Sequence, residues 1–245
     1  LIALNNNLKI EADKRLISIF ERSFNNQIFV PDGYYSNNDE DLKNFDSVIF
    51  AGSLCSYFRK NKNDFLDIPY LVADQAKAQE IKKDKIFSAQ ELKIGLSWKS
   101  VVSVYGRLKS LTLSDFAPLF KKGRQFINLQ YGEVDEEIKA FEKDTGIEII
   151  QCSSVDNRED LDGLAALIEV CDLVISTSNV TVHMAGALAK ETWVLLPYVV
   201  VNFWWLTERP RSIWYPSLTL YRQPTLDDWD SVYESVRKNL ISKIL

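Results

Sequence analysis

The chain has 245 residues, and its 46% hydrophobic and 26% charged content is typical of a globular protein that buries a sizeable core. Its net charge of −5 and pI near 5.1 argue against nonspecific nucleic-acid binding. The three cysteines, Cys55, Cys152 and Cys171, are far apart and there is a single histidine, so neither a disulfide framework nor a zinc site is expected.

The sequence predicts no transmembrane segment. No apolar run approaches the roughly 20 residues needed to cross a bilayer, and the N-terminal stretch lacks the basic and apolar regions of a signal peptide. We therefore expect a cytoplasmic protein. Because Met184 is the only methionine and the chain opens with Leu1, we also expect this polypeptide to have been cut from a longer one.

Residues 1–88 are predicted to form a partial α/β domain. Short strands are expected at 8–12, 27–30 and 47–50, with a helix capped by Asp13 after the first. A charged helix over 74–85 shows little apolar face, which suits a linker. Three strands are fewer than a free-standing doubly wound domain normally has.

Residues 89–245 show a more regular alternation of strands and helices. Such alternation predicts an open parallel sheet with helices on both faces. The strands are predicted at 93–98, 125–130, 148–151, 173–175, 192–196 and 218–221. The helices are predicted at 114–120, 134–145 ending at Gly146, from Asp160 or Asp162 to 170, and at 226–241.

The stretch 171–197 carries the clearest chemical signal. A buried strand is followed by four small polar residues, 176–179, then by a helix and another strand, which makes a βαβ unit. Ser178 or Asn179 is the expected N-cap, so the backbone N–H groups of residues 180–182 should be unpaired and form an anion site within one turn of His183. The alternative is ordinary helix capping beside a structural histidine.

Polar residues follow the first four predicted strands of this second region. Ligands of open parallel sheets bind outside the carboxyl ends of the strands, where a lysine, an aromatic ring, an amide and a helix end would suit a pyrophosphate joined to a base and a sugar. The alternative is that strand ends are polar in any such sheet. No Gly-rich dinucleotide or P-loop motif occurs. The residues are Ser97, Trp98, Lys99, Gln130, Tyr131, Gly132, Ser153, Ser154 and 177–181.

Several motifs in one order carry a resemblance to a known family. IGLSWK, LSDFAPLF, FINLQYG, DLDGLAALIEVCDLVIS, VTVHMAGAL, TWVLLP and WYPSLTLYRQPTLDDWDSV resemble the C-terminal half of glycosyltransferases fused behind tetratricopeptide repeats. These are related to the family 9 lipopolysaccharide heptosyltransferases and distantly to the O-GlcNAc transferases. DKRLISIFERSF, FAGSLCSYFR and IPYLVAD resemble the later part of that family's N-terminal domain.

The resemblance implies an α/β, GT-B-like fold with two Rossmann-like doubly wound parallel sheets, the first incomplete. Residues 1–88 would be the partial acceptor-side domain, and 89–245 the domain that binds a nucleotide-sugar donor. The final helix, from Leu226, would cross back to the first domain. The chain departs from the family at Lys190–Glu191, where many members have Gly-x-Pro, and in the missing first strand with its Gly-Asp loop.

The resemblance also implies site residues. Lys99 would contact the donor phosphate, 178–183 would form the phosphate-binding loop and helix start, and Gln130 and Tyr131 would lie near the base or ribose. The donor-binding set is Ser97, Lys99, Gln130, Tyr131, Ser178, Asn179, Val180, Thr181 and His183.

The implied function is transfer of a sugar from a nucleotide sugar to a protein or lipopolysaccharide acceptor, with no cofactor. No DxD-type carboxylate pair follows a strand, so we expect a metal-independent reaction in which Lys99 and the helix end neutralise the leaving group. Two alternatives remain: a noncatalytic nucleotide-sugar or protein-binding module, and a sugar-nucleotide epimerase. The single His183 counts against the epimerase.

We expect the chain to bind donor better than it turns it over, because the family's usual base lies near the missing strand. Asp13, Asp32 and Asp74 are better explained as a helix cap, a turn residue and a linker cap. The exposed sheet edge left by the missing strand should favour self-association.

The tryptophan-rich loop 199–215 is predicted to be either a cleft wall or a packed loop on the crossing helix. Packing is favoured for Trp214 and Tyr215. Trp204 and Trp205 are left open between the two.

Overall fold

A computed structural model of the chain describes residues 8–25, 27–35, 42–100, 106–121, 123–199, 203–206 and 209–243. The strands are β1 Lys9–Ala12, β2 Ile28–Pro31, β3 Leu92–Ser97, β4 Arg124–Asn128, β5 Ile149–Ile150, β6 Leu173–Thr177, β7 Thr192–Leu196 and β8 Leu218–Arg222. The α-helices are α1 Ile17–Ser23, α2 Leu54–Phe58, α3 Gln75–Lys82, α4 Gly106–Lys109, α5 Asp135–Thr145, α6 Leu161–Val170, α7 Val180–Ala187 and α8 Trp229–Ser242. None of the helices described is long and apolar enough to cross a bilayer.

Strands β3 to β8 form one parallel sheet in the order β5-β4-β3-β6-β7-β8. The chain enters at the centre, runs outward to β5, returns beside β3 at β6 and then runs outward in the other direction. This is the strand order of a doubly wound sheet, and it confirms the six strands predicted for the second region. β3 and β6 are neighbours across the point of reversal, with Ser97 opposite Ser176 at the end of their register.

The residues of the central strands alternate between two apolar layers. In β6, Val174 faces one layer while Leu173 and Ile175 face the other, and all three are fully buried. One layer lies beneath α6 and α7. The other is closed by α5, α8 and the 3-10 helix Leu113–Leu119.

The first 88 residues contribute to the layer beneath α6 and α7. Ile19 of α1 and Ala78 and Ile81 of α3 are buried in it. The sequence suggested that the charged helix α3 acts as a linker, but it packs against α6, and Lys77 pairs with the α6 cap Asp160 at 2.6 Å. The two-stranded sheet β1-β2 packs alongside α1.

The predicted strand at 47–50 is wrong. Within the described residues this stretch pairs with no strand, and Phe50 is 84% exposed. A strand is stabilised by a ladder partner, and the described part of the first region supplies only β1 and β2, which pair with each other.

The prediction that the final helix crosses back to the first region is also wrong. Helix α8 begins after Asp228, whose carboxylate accepts from the Ser231 N–H at 3.1 Å. Its apolar stripe is buried in the layer opposite to that holding α1: Val232, Tyr233, Val236 and Leu240. Because this stripe is already covered by the sheet and the 3-10 helix, α8 stays on the second region.

Candidate functional site

The N-terminal end of α7 lies beside the reversal point of the sheet. Asn179, one of the two residues predicted for this position, is the N-cap, and its Oδ1 accepts from the Thr181 N–H at 3.0 Å. One of the three N–H groups expected to be unpaired is therefore satisfied by the cap itself. Among the described residues, none accepts from the N–H groups of Val180 and Val182. Val180 is 40% exposed, so this helix end reaches the surface.

Four of the predicted site residues form a buried hydrogen-bond network. Asn179 Nδ2 donates to Ser97 Oγ at 2.7 Å, and Ser97 Oγ donates to Gln130 Oε1 at 3.0 Å. Gln130 Oε1 also accepts from the N–H groups of Trp98 and Lys99, at 2.8 and 2.9 Å. The Thr181 hydroxyl is within 3.4 Å of Ser97 Oγ. The network ties the ends of β3 and β4 to α7.

The hydrogen bonds of the Gln130 side chain indicate a structural role. Its side-chain oxygen is shared by three donors, and its Nε2 donates to the Tyr131 carbonyl at 2.9 Å. Gln130 therefore braces the loop after β3. The side chain of Tyr131, after β4, is partly exposed and forms no hydrogen bond with these groups.

Lys99 is paired with a carboxylate. Its Nζ lies 2.8 Å from Oε2 of Glu137 on α5, and Glu137 Oε1 accepts from Trp98 Nε1 and from the Leu113 N–H, both at 2.9 Å. Desolvation, the largest single influence, acts to raise the pKa of Glu137, but these three donors together lower it. The Lys99 ammonium is thus already engaged by an ionised partner.

Lys109 is a candidate that the sequence analysis did not single out. It is only 8% exposed and has no hydrogen-bond or ion-pair partner among the described residues. Burial lowers its pKa, and its charge also acts on His183. The segment after α4 is held against the end of β3, where the Leu111 N–H donates to the Trp98 carbonyl at 2.8 Å. The only sequence signal was a lysine flanked by leucines.

His183 lies in an aromatic cluster. Its ring stacks on Trp205 at 5.3 Å and meets Trp204 and Tyr215 edge-on, while its Nδ1 lies 3.2 Å from the Tyr215 hydroxyl. Burial, and secondarily the Lys109 charge, lowers the pKa of His183 to about 4. The imidazole is therefore neutral near pH 7.

The tryptophan-rich loop packs against the same helix end. Trp205 is 3% exposed, and its Nε1 donates to Ser178 Oγ at 2.7 Å. Tyr215 is buried and Trp214 packs edge-on against Phe65 at 4.7 Å, which confirms packing for both. The partners are α7 and Phe65 instead of the final helix. Residues 200–202 and 207–208 of the predicted loop lie outside the described residues.

The site combines hydrogen-bond donors and a cation. In the part of the chain that the structure describes, no three His, Cys, Asp or Glu side chains come together as metal ligands would. The chemistry that this arrangement offers is the binding of an anion.

Comparisons with known proteins show which proteins the chain resembles in sequence and in fold. No protein-family model matches the chain. Protein FlbA of Caulobacter vibrioides is 28% identical over 244 residues, which cover 91% of this chain and 39% of FlbA. E. coli ADP-heptose LPS heptosyltransferase II superposes with a TM-score of 0.53 at 14% identity, over 77% of this chain and 59% of that protein. The family 9 glycosyl transferase of Veillonella parvula DSM 2008 superposes with a TM-score of 0.51 at 15% identity, over 71% and 53%.

These likenesses establish the class of fold. The chain is an α/β protein whose six-stranded parallel sheet and helices match those of GT-B glycosyltransferases, as predicted. It spans about two fifths of FlbA and between half and three fifths of the two solved structures. The predicted fusion to tetratricopeptide repeats and the relation to O-GlcNAc transferases stay predictions, as does the division into domains at residue 88.

Proposed function

We propose that the chain is a glycosyltransferase, or the greater part of one, that holds a nucleotide sugar with its diphosphate on the N-terminal end of α7. The acceptor would be a protein or a lipopolysaccharide, as the sequence resemblance implies. The likeness to glycosyltransferase folds supports the reaction class. The site itself supports the placement of the donor.

The observation that carries the proposal is the Lys109 side chain, which is only 8% exposed and has no hydrogen-bond or ion-pair partner among the described residues. A buried charge without a partner is unfavourable, so a bound anion that pairs with it gains binding energy. The N-terminus of α7 adds a partial positive charge and the N–H groups of Val180 and Val182, which have no acceptor among the described residues. A phosphate group matches this combination.

The same groups are suited to stabilising a leaving group. Negative charge develops on the nucleoside diphosphate as the bond to the sugar breaks, and preoriented donors stabilise it most in a site shielded from water. Lys109 and the helix end would supply this stabilisation without a divalent cation. Lys99 remains a predicted phosphate contact, which requires it to share or leave Glu137.

The experiment compares nucleoside diphosphate affinity among lysine variants by calorimetry. Lys109→Met keeps the apolar stem and removes the charge, so we expect a loss of about ten- to a hundredfold, with a smaller loss for Lys99→Met. Lys139→Met, at an exposed lysine paired with Glu136, is the control and should bind as the wild type does. Wild-type affinity in Lys109→Met would overturn the placement.

Two further measurements test metal independence and distinguish a glycosyltransferase from a binding module or an epimerase. Chelator should leave the affinity unchanged if the site works without a metal ion. Binding of a nucleotide sugar with neither transfer nor hydrolysis would favour a noncatalytic binding module, and interconversion of the sugar would favour an epimerase.

A further inference from the structure

The stretch 42–70 differs from the rest of the chain in its exposure. Among these described residues none is buried, although many of them are apolar. Elsewhere in the described part of the chain, large apolar side chains fill two buried layers. In this stretch eight large apolar side chains are exposed to water instead. They are Val48, Ile49, Phe50, Tyr57, Phe58, Leu66, Ile68 and Tyr70.

The stretch is anchored near both of its ends. The Phe45 ring meets the ring of Tyr35, which follows β2, edge-on at 5.1 Å. At the other end the Tyr70 N–H donates to the carbonyl of Ala187, the last residue of α7, at 3.1 Å. The residues between these contacts therefore run over the surface from the β1-β2 sheet to the end of α7. We call residues 46–70 the apolar strip.

The exposed apolar area of the strip is that of a protein interface. Phe50 is 84% exposed, and an aromatic side chain has roughly 150–250 Å² to bury. Together the eight side chains expose on the order of 800 Å². The largest apolar patch of a monomer is typically about 300–600 Å², whereas each partner in a stable complex contributes about 800 Å². The strip is therefore large enough to form one side of a stable dimer.

The strip carries charges of both signs. Its basic residues Arg59, Lys60 and Lys62 lie next to Asp64 and Asp67 in the sequence. None of the ion pairs in the described part of the chain involves them. A surface that carries both signs can pair with itself about a twofold axis, because each basic group then meets an acidic group of the other copy. A nucleic acid or an anionic membrane would require an excess of basic residues.

We propose that the apolar strip is the interface through which two copies of this chain form a twofold-symmetric dimer. Burial of the strip removes its apolar side chains from water and offsets the entropy lost in ordering a segment that has no core of its own. This surface is distinct from the sheet edge at which the sequence predicted self-association. It reaches α7 at the end opposite to the proposed anion site, so the dimer does not depend on the proposed function.

Sedimentation equilibrium on a matched pair of leucine variants tests the proposal. Leu66 in the strip is 61% exposed, and Leu226 after β8 is 62% exposed, so neither substitution disturbs a core. We expect the wild type to dimerise with a Kd in the micromolar range, Leu66→Asp to raise this Kd at least about tenfold, and Leu226→Asp to leave it unchanged.

Three results of this experiment would overturn the proposal. A wild type that is still monomeric at about 1 mM would mean that a different protein covers the strip. Equal effects of the two leucine substitutions would show that association does not use the strip. Growth beyond the dimer would contradict a twofold contact, which closes on itself.

Cys55 provides an independent measurement of which surface is covered. It is exposed within the strip, whereas Cys152 and Cys171 are buried, so a thiol reagent reports on Cys55. Between protein concentrations of one tenth and ten times Kd, the rate of modification should fall about fourfold if only the monomer reacts. Leu66→Asp should keep the faster rate over the same range. A wild-type dimer in which Cys55 reacts as fast as in the monomer uses another surface, such as the β1-β2 edge, and would overturn the proposal.

Discussion

His183 links the stability of the protein to pH. Its pKa is lowered to about 4 in the folded state, mainly by burial, against a usual value of about 6.5. As pH falls below 6.5 the unfolded chain binds a proton that the folded protein does not bind until about pH 4. The free energy of unfolding therefore decreases across this window, and above it the histidine has no further effect.

We predict that this loss amounts to about 3 kcal/mol between pH 7 and pH 4. Urea unfolding at a series of pH values would be compared between the wild type and His183→Gln, because carboxylates such as Asp13 affect both proteins equally. The stability curves should converge as pH falls. Parallel curves would show that the imidazole titrates normally in the folded protein.

Glu137 offers a second prediction at this scale. It accepts from Lys99, Trp98 and Leu113, so Glu137→Ala leaves three donors without their acceptor. We expect the free energy of unfolding to fall by about 2–4 kcal/mol. The neighbouring Glu136 is exposed and pairs only with Lys139 among the described residues, so Glu136→Ala should cost less than about 0.5 kcal/mol. Equal losses would contradict the structural role of Glu137.

The sequence predicted residues that meet at the ends of β3 and β4, but it did not show which of them are engaged with one another. Strand ends and small polar residues pointed to Ser97, Gln130, Asn179 and Thr181, and these do meet, but as a buried brace. Which polar atoms remain available depends on partners that are distant in sequence. Lys109 was missed for the same reason, since nothing around it in the sequence shows that it is largely buried with no counter-ion among the described residues.

Strands, helix caps and helix ends were predicted correctly where the residues of the element itself determine them. Apolar runs gave the six strands of the large sheet, and Asp13 and Asp74 cap the helices that follow them. Helix α5 ends at Gly146 in the left-handed conformation, with a φ of 68°. The prediction of a strand at 47–50 was wrong because a strand needs a neighbouring strand with which to form hydrogen bonds. The prediction that the last helix crosses to the first region came from the family resemblance. The apolar stripe of a helix does not by itself show which surface it packs against.

The packing of α7 on Tyr215 gives a prediction for this element. Gly186→Ala should favour the helix intrinsically, yet the new methyl group would collide with the Tyr215 ring. We expect a net destabilisation of about 1–3 kcal/mol. Gly52→Ala, where nothing lies within 4 Å of the added carbon, is the control and should change stability by less than about 0.5 kcal/mol. A neutral Gly186→Ala would show that the ring has room to move.

At the scale of the molecule, the two regions share an apolar layer. Ile19, Ala78 and Ile81 are buried with residues of α6 and α7, and Arg22 pairs with Asp162 across the same boundary. A two-stranded sheet such as β1-β2 is marginal alone, so its stability depends on this packing. Tyr70 of the first region lies beside Tyr215, with ring centroids 6.2 Å apart, so this region contacts the ring that packs on α7.

The central claim is that a nucleoside diphosphate binds at the reversal point of the sheet with its phosphates on α7. The most direct measurement is a crystal structure of the protein with ADP or UDP bound. The account predicts phosphate oxygens within hydrogen-bond distance of Lys109 Nζ and the Val180 N–H, with Glu137 still bound to Trp98 and Leu113. A nucleotide bound elsewhere, or one whose phosphates contact neither Lys109 nor the N-terminus of α7, would contradict it.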